Sequence, residues 1–309
     1  MKVHLKVISA LVVLLFATFV FATQEVAPKS EWTPPTPRKS KTIFAPKPIG
    51  GDNIFKGNAE VWLADVIEEW GSDDFTPFND KAITDYVTKV GNYVASYSRA
   101  PNKQYRFIVT NDEQHIDAMT AGGGRIFITL GMLEWLENED ELAAILAHEI
   151  GHDAFAHAGK TITRQMFWLT GTRKVKSPQE VEDAFAKLIE AYKKQPLASL
   201  TETVLGFSRF DELEADRAAF YNTYKAGYNP WAMLVLFDRA AKEQKGEMGN
   251  GDYAVTEFVT LLFGTHPPTT QRTMAIEWES NWVKMPAKNI RHSSAAFTAM
   301  KSHLSELEN

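Results

Sequence analysis

Apolar residues recur at helical spacing along most of the chain, and strand-like patterns occur in only two places. The stretch 79–98 carries one continuous apolar stripe, formed by Ile83, Tyr86, Val87, Val90, Tyr93, Val94 and Tyr97. Residues 58–70 have the same period, so both stretches predict amphipathic helices. Residues 105–110 and 125–130 are rich in β-branched and aromatic side chains, which predicts two strands, with Ala121 and the glycines 122–124 as a turn. The chain is therefore expected to be α+β, mainly α.

The middle of the chain predicts a buried helix that begins after Asn138. Asn138 is a suitable N-cap, and Glu141 three residues later gives a capping-box pattern. The acids of the first turn suit the positive end of a helix. Apolar residues then follow with helical period, at Leu142, Ile145, Leu146 and Ile150. Because such a stripe packs against a core, the polar residues beyond it are expected deep in the fold.

Further helices are predicted towards the C-terminus. One runs from Ser208 to Ala226, with Ser208 as its cap and Gly227 just past its end. Residues 159–200 are interpreted as an insertion with an amphipathic helix that starts at Ser177-Pro178 and packs on the core. A membrane-surface helix is the alternative, which mixed charges on the polar face weaken. Other helices are expected from Asn229 through Glu243, up to Phe263, and from Arg272 to Trp278.

The two ends of the chain are expected to lie outside the main domain. Positive charge before an apolar run, Val7 to Ala22, predicts a cleaved secretory signal peptide at residues 1–22, or alternatively an uncleaved membrane anchor. The proline-rich residues 23–55 predict a linker or a surface-hugging arm, on which Trp32 could dock. The main domain is placed at 56–285 and a polar C-terminal tail at 286–309.

Composition restricts the chemistry. The 309 residues are 44% hydrophobic and can bury a sizeable core, and a formal charge of −6 gives no support for a nucleic-acid partner. The chain has no cysteine, which excludes disulfides, thiolate metal sites and a cysteine nucleophile. Any metal must therefore be held by histidines and carboxylates, which is the pattern of catalytic zinc sites rather than structural ones.

The buried central helix contains such residues in the order His148-Glu149-Ile150-Gly151-His152, an H-E-x-x-H array. One helical turn separates the two histidines, so both imidazoles project from one face and can hold one zinc ion, with Glu149 beside them. His157 lies one residue short of the third ligand in the extended motif H-E-x-x-H-x-x-G-x-x-H, and the glycine of that motif is absent. We therefore interpret His157 as structural.

Three acids crowd the helix that starts at Ser208. Glu212 and Asp216 share a face, whereas Glu214 points elsewhere. Their neighbours Ala215, Ala218, Ala219 and Phe220 favour burial. A buried carboxylate pair needs a compensating cation, and a metal ion would supply it. The residues alone leave Glu212 and Glu214 as alternatives for a third ligand.

The combination resembles the zinc metallopeptidase family of HtpX, BepA and the CAAX prenyl protease. The resemblance covers roughly residues 80–278. It rests on H-E-x-x-H, the glycine turn and strand before it, Ser208-Arg209-x-x-Glu212-x-Glu214-Ala215-Asp216, and Thr265-His266-Pro267. It implies a zincin-like metallopeptidase core in which a small β-sheet precedes the H-E-x-x-H helix. One Zn²⁺ per chain would be held by His148, His152 and Glu212.

The resemblance also implies roles for other residues. Asp216 would orient a ligand imidazole, and Glu149 would be the general base on a zinc-bound water. His266 would be catalytic, by stabilising the oxyanion, or would cap the zinc in a latent form, with a structural loop histidine as the alternative. Arg272 is a weaker candidate. The strand before the helix, Arg125 to Thr129, would bind substrate as an edge strand, and Asp117 departs from the asparagine of many members.

These residues predict an exported, periplasmic zinc metalloendopeptidase that cleaves misfolded or unassembled envelope proteins. Its partners would be polypeptide substrates, with association with membrane or envelope proteins as a further expectation. A proteolytically silent zinc-binding chaperone or adaptor is the alternative, and the presence of Glu149 disfavours it because a silent site needs no general base. An aminopeptidase is a third hypothesis, for which no amine-binding acid cluster is evident.

Overall fold

The computed structural model describes residues 32–38, 51–71, 75–193, 206–248, 270–286 and 292–307. These residues form three strands, β1 (Arg106–Thr110), β2 (Ala118–Gly122) and β3 (Arg125–Thr129). The helices before the long C-terminal part are α1 (Asn58–Trp70), α2 (Lys81–Ala95), α3 (Leu130–Trp135), α4 (Glu139–Ala154), α5 (His157–Thr170) and α6 (Pro178–Lys193). They are followed by α7 (Arg209–Ala226), α8 (Ala232–Met248), α9 (Thr270–Ser280) and α10 (Ala295–Leu307). The predicted α+β, mainly helical fold is confirmed.

The sheet has the order β1-β3-β2, with β3 in the middle. β1 runs parallel to β3 with Arg106 opposite Arg125, and β2 runs antiparallel to β3 with Ala118 opposite Ile128. β3 is therefore hydrogen-bonded on both sides. The expectation that residues 125–129 form an edge strand is wrong, because β2, which the sequence pattern did not predict, occupies that edge.

A tight glycine turn joins β2 to β3. Gly122, Gly123 and Gly124 all have positive φ angles, of 80°, 59° and 83°, a region that side-chain-bearing residues avoid. A Cβ on Gly124 would also lie 2.2 Å from the Gln104 carbonyl oxygen. The predicted turn is confirmed, and glycine is required there for both backbone angle and space.

Helices cover both faces of the sheet. On one face, Ile126 and Ile128 of β3 join a core formed with α2, α4, α7, α8 and α10. On the other face, Phe127 packs with residues of α1, α5 and α6. The predicted surface helix of the 159–200 region is α6, whose apolar face is buried in this second core, as predicted, through Val181, Phe185, Leu188, Ile189 and Tyr192.

α4 lies between the sheet and α7 and is buried all round. Every residue from Glu139 to Asp153 is buried, which is more than the predicted stripe. Its closest neighbour is α7: a Cβ on Gly151 would lie 3.1 Å from the Ala218 Cβ and 3.2 Å from the Ala215 Cα. Small residues on both helices therefore allow the backbones to approach, so that side chains of α7 reach those of α4.

The ends of the described chain pack on this helical body. The part of the proline-rich arm that the structure describes, residues 32–38, docks through Trp32 and through Arg38, whose guanidinium donates to the Tyr228 carbonyl at 2.5 Å. The prediction of a polar C-terminal tail is wrong. Residues 295–307 form α10, which buries Ala296, Phe297, Met300 and Leu304. Residues 1–31, the predicted signal peptide among them, lie outside the described residues, and none of the described helices is long and apolar enough to cross a membrane.

Both ends meet at Glu139, the first residue of α4. Its carboxylate accepts hydrogen bonds from Trp32 Nε1 at 2.9 Å, Tyr86 at 2.8 Å and Tyr228 at 2.9 Å, and also from Ser294. The His292 carbonyl accepts from the Glu139 backbone N–H at 3.1 Å. Burial alone would raise the pKa of Glu139, but its hydrogen bonds, from His292, Ser294, Trp32 and Tyr86, lower that pKa from 4.5 to about 2.

Glu139→Gln should therefore remove a pH-dependent contribution to stability. Because the folded pKa of Glu139 is below the unfolded one, its contribution is complete above pH 4.5 and is lost as the pH falls towards 2. We expect the variant to unfold with roughly 3 kcal/mol less free energy at pH 7, the gap narrowing below pH 4.5. Urea unfolding of wild type and variant at several pH values measures the loss at pH 7 and its decrease below pH 4.5. Glu137→Gln, at an exposed neighbouring position, should show no such gap, and a constant Glu139→Gln gap from pH 7 to pH 3 would contradict the account.

Candidate metal centre

Three side chains from two helices converge where α4 and α7 cross. His148 and His152, one turn apart on α4, bring their Nε2 atoms to 3.0 Å from each other. Glu212, in the first turn of α7, places its carboxylate oxygens 3.5 Å from His148 Nε2 and 3.4 Å from His152 Nε2. All three residues are buried. Helical phase on α4 and the close approach at Gly151 therefore bring the predicted ligands together.

The donor set fits a zinc ion. Atoms that each lie about 2.0–2.2 Å from a tetrahedral zinc are about 3.3–3.5 Å apart. The two distances to Glu212 match that spacing, and the two Nε2 atoms, 3.0 Å apart, would move apart by a few tenths of an ångström to hold the ion. Two imidazoles and one carboxylate are a ligand set of catalytic zinc sites, which leave a fourth position for water or substrate. Of the predicted site residues, the structure thus brings together His148, His152 and Glu212.

Asp216 and Arg272 surround the candidate ligands. Asp216 Oδ1 lies 3.0 Å from His148 Nδ1, on the far side of that ring from Nε2. Arg272 of α9 donates two hydrogen bonds of 2.7 Å to Asp216, and its Nη1 lies 3.1 Å from Glu212 Oε2. The Arg272 side chain is 2% exposed, and its guanidinium also lies over the Phe237 ring. One buried cation thus bridges two buried carboxylates.

The charges of this cluster stabilise each other. Burial alone would raise the pKa of Asp216, but the positive charge and hydrogen bonds of Arg272 outweigh burial and hold that pKa below its ordinary value. Burial alone would lower the pKa of Arg272, but the negative charge of Asp216 raises it. Asp216 is therefore an ionised carboxylate at neutral pH, able to accept the N–H of His148 and so to direct the other ring nitrogen towards Glu212.

Glu149 borders a small cavity beside the three converging residues. The cavity wall also includes His148, Arg272, and Asp117 and Ala118 at the start of β2. Glu149 is 2% exposed and follows directly on a candidate ligand. The carboxylate of Glu149, the start of β2 and one of the three converging residues, His148, thus border one cavity.

His152 has neighbours on the side away from His148. Its Nδ1 lies 2.9 Å from Nδ1 of His157, the first residue of α5. His157 forms a second buried group with Asp211 and Glu214, and it does not belong to the group of His148, His152 and Glu212. Phe207, just before α7, stacks on the His152 ring at 4.1 Å between centroids.

The structure places two further residues at the site, Arg272 and Phe207, and it does not describe one candidate, His266. His266 lies outside the described residues. Arg272, a weak candidate in the sequence, contacts two of the site's carboxylates, and Phe207 was missed. No local pattern reveals either contact, because Arg272 is 56 residues from Asp216 and Phe207 is 55 residues from His152.

Comparison with known proteins gives matches to the same region. The model of peptidase family M48 matches residues 82–280. The beta-barrel assembly-enhancing protease of Yersinia pestis is 23% identical over 171 residues, 54% of this chain and 34% of the relative. The protease of that name from Escherichia coli K12 is 24% identical over 170 residues, 52% and 33% respectively. The mitochondrial metalloendopeptidase OMA1 of Schizosaccharomyces pombe is 27% identical over 235 residues, 72% and 60%. The chain thus spans about a third of the length of the first two relatives.

Proposed function

The chain belongs to peptidase family M48, and on that premise we propose that it is a zinc-dependent metalloendopeptidase. The observation that carries the proposal is the convergence of His148, His152 and Glu212 at distances that suit one zinc ion, with Glu149 beside them. The family match and the relatives named as metalloendopeptidases support the same activity.

In the proposed mechanism, Glu149 moves the proton. Zinc, when bound by His148, His152 and Glu212, would polarise the scissile carbonyl and lower the pKa of water from about 15.7 towards 7. Glu149 lies in the cavity beside the ligands, so its carboxylate accepts a proton from the attacking water and later donates it to the leaving amine. Asp216 keeps His148 in the orientation and tautomer that direct Nε2 towards Glu212. Arg272 keeps Asp216 ionised for that task.

We further propose that substrate binds in extended form along the outer edge of β2. Thr129 N–H donates to the Asp117 carbonyl at 3.1 Å, so Ala118 and Thr120, the alternate residues of the strand, direct their backbone N–H and C=O groups away from β3. The Ala118 N–H donates to Asp117 Oδ1 at 2.9 Å, so a substrate carbonyl would replace that carboxylate as its acceptor. Asp117 and Ala118 border the same cavity as Glu149. A polypeptide paired with β2 would therefore reach the carboxylate that moves the proton.

Backbone N-methylation of a peptide substrate tests this pairing. An added strand pairs through every second residue, so methylation at paired positions should remove one hydrogen bond worth about 1 kcal/mol and lower kcat/KM about fivefold. Methylation at the intervening positions should have little effect. The measurement is kcat/KM across a scan of single N-methyl peptides. An effect without alternation would contradict binding along β2.

We also propose that the substrates are envelope polypeptides and that the chain is exported. The support is the basic and apolar segment at residues 1–22 and the relatives named for β-barrel assembly. Fractionation of cells with N-terminal sequencing of the mature chain tests the proposal, with an exported chain starting near Thr23 as the expected result. A chain that retains residues 1–22 would instead indicate the membrane-anchored alternative.

Removal and return of zinc test the activity itself. We expect the purified protein to cleave casein at internal peptide bonds, to lose that activity after treatment with a chelator, and to regain it when about one equivalent of zinc per chain is added. Mass spectrometry of the products measures where the cuts occur. Products trimmed only from their N-termini would indicate an aminopeptidase, and zinc binding with no cleavage would favour a silent chaperone or adaptor.

A further inference from the structure

We propose that His157 and Glu214 are positioning residues for the zinc ligand His152. The inference rests on the proposed zinc site. The three side chains form a buried line from one helix to another: His152 Nδ1 lies 2.9 Å from His157 Nδ1, and His157 Nε2 lies 3.3 Å from Glu214 Oε2. His152 and His157 are both fully buried, and Glu214 is 4% exposed. None of these three side chains lines the cavity that Glu149 borders.

The chemistry of imidazole determines how the protons are arranged along this line. A neutral histidine that ligates zinc through Nε2 carries its proton on Nδ1. His152 therefore presents an N–H to His157, which must accept through an unprotonated Nδ1 and carry its own proton on Nε2. That second N–H faces the Glu214 carboxylate, which accepts it. Each donor then has an acceptor, and the Nε2 of His152 is left to ligate the metal.

These proton positions disfavour a second metal ion at His157. His157 Nε2 lies 3.6 Å from Asp211 Oδ1 as well as 3.3 Å from Glu214 Oε2, a spacing that could hold a cation. If His157 ligated a cation through Nε2, its proton would move to Nδ1, and two N–H groups would face each other at 2.9 Å. Asp211 also has another task, because its Oδ2 accepts the Ser208 N–H at 3.0 Å in the capping box of α7.

The backbone is bent to place His157. Ala156, between α4 and α5, has φ of 55° and ψ of 39°, the left-handed conformation that alanine avoids. Within the described residues, Ala156 is the one position other than glycine with a positive φ. This strained residue turns the chain sharply after α4 and returns His157 to the ring of His152. Strain kept beside a candidate site is consistent with a requirement for that geometry.

Phe207 completes the confinement of His152. Its ring lies nearly parallel to the imidazole, at an interplanar angle of 20° and 4.1 Å between centroids. The His157 ring meets the same imidazole edge-on, at 76°. One neighbour therefore fixes the plane of the His152 ring, and the other fixes the direction of its nitrogens within that plane.

Three substitutions of His157 test the proposal through their zinc affinities. If His157 only stabilised the fold, the three variants would not rank in the order that the proposal predicts. His157→Asn keeps an acceptor near the position of Nδ1, His157→Gln keeps a polar group near that of Nε2, and His157→Phe keeps neither. We expect His157→Phe and His157→Gln to bind zinc about 10–100-fold more weakly than wild type, and His157→Asn to recover most of the affinity. Competition with a chromophoric chelator measures the Kd, and thermal unfolding of the zinc-free proteins monitors folding. His115→Phe, at an exposed histidine, is the matched control and should bind like wild type.

The outcomes separate this proposal from the function on which it rests. Wild-type protein that binds no zinc overturns both. Wild-type protein that binds one zinc, with equal affinity in all three variants, overturns the role of His157 and leaves the metallopeptidase proposal standing. Two zinc ions per wild-type chain, falling to one in His157→Phe, would identify a second metal site instead. If His157→Phe fails to fold, the comparison of His157→Asn with His157→Gln decides, since equal affinities for these two overturn the proposal.

Discussion

Glu149→Gln should lower the rate of casein cleavage by about 10²–10⁴-fold while leaving one zinc ion bound. General acid–base catalysis contributes a factor of this size, and glutamine cannot accept a proton from water. Glu149 follows His148 on α4 but is not among the three converging donors, so the proposed ligand set stays intact. Steady-state kinetics give the loss in kcat, and metal analysis of the same sample gives the zinc content.

The control for this variant is Glu182→Gln, the same change on the exposed face of α6. It should cleave casein at the wild-type rate. If Glu149→Gln cleaves as fast as Glu182→Gln with zinc present, the base is another residue. If it loses activity and zinc together, Glu149 contributes to holding the metal rather than to proton transfer.

Arg272→Met should have the largest effect on stability. We expect it to lower the free energy of unfolding of the zinc-free protein by about 3–5 kcal/mol. Breaking a buried ion pair by removing one partner leaves an uncompensated buried charge, and here Asp216 and Glu212 both lose their shared cation. Urea unfolding measures the loss. The double variant Asp216→Asn/Arg272→Met should recover part of it, because the asparagine leaves no charge at the position that Arg272 contacted.

Two comparisons make this prediction specific. Arg106→Met removes an arginine that is 57% exposed and pairs with Glu68, so it should cost no more than about 1 kcal/mol. Arg272→Lys keeps the charge but not the two parallel hydrogen bonds to Asp216, and should fall between wild type and Arg272→Met. Equal stability of Arg272→Met and Arg106→Met would contradict the proposed role of the buried pair.

The parts of the fold with local signals were predictable from the sequence. α7 begins after Ser208 and ends at Ala226, just before Gly227, as the capping residues predicted. α4 begins after Asn138, although the side chain of Glu141 accepts from the Asn138 side-chain amide at 2.9 Å rather than from its backbone. The helical phase of Glu212 against Glu214 was also predictable, and the two side chains contact different histidines.

The order of the strands was not predictable from local pattern. β2 is short, and its sequence Ala-Met-Thr-Ala-Gly has one β-branched residue, so neither composition nor alternation indicates a strand. β2 forms because it hydrogen-bonds to β3 and because α4 packs against it. Since β2 occupies the edge, it replaces residues 125–129 as the strand on which we propose that substrate binds.

Contacts between distant residues explain the other differences. The residues that α10 buries have helical spacing, but the surfaces of α2 and α3 that cover them come from a region more than 150 residues earlier. In the sequence, Glu139 is an ordinary acid in the first turn of a predicted helix. Only in the folded chain does its carboxylate accept hydrogen bonds from Trp32 and Ser294. The spacing of His157 does not match the third ligand of the extended motif, which indicated a structural role, but in the fold its ring contacts the candidate ligand His152.

Anomalous diffraction at the zinc edge, from crystals of the zinc-loaded wild-type protein, tests the central claim most directly. We predict one anomalous peak per chain, about 2.0–2.2 Å from His148 Nε2, His152 Nε2 and a carboxylate oxygen of Glu212. A peak among His157, Asp211 and Glu214, or the absence of any peak between α4 and α7, would contradict the account.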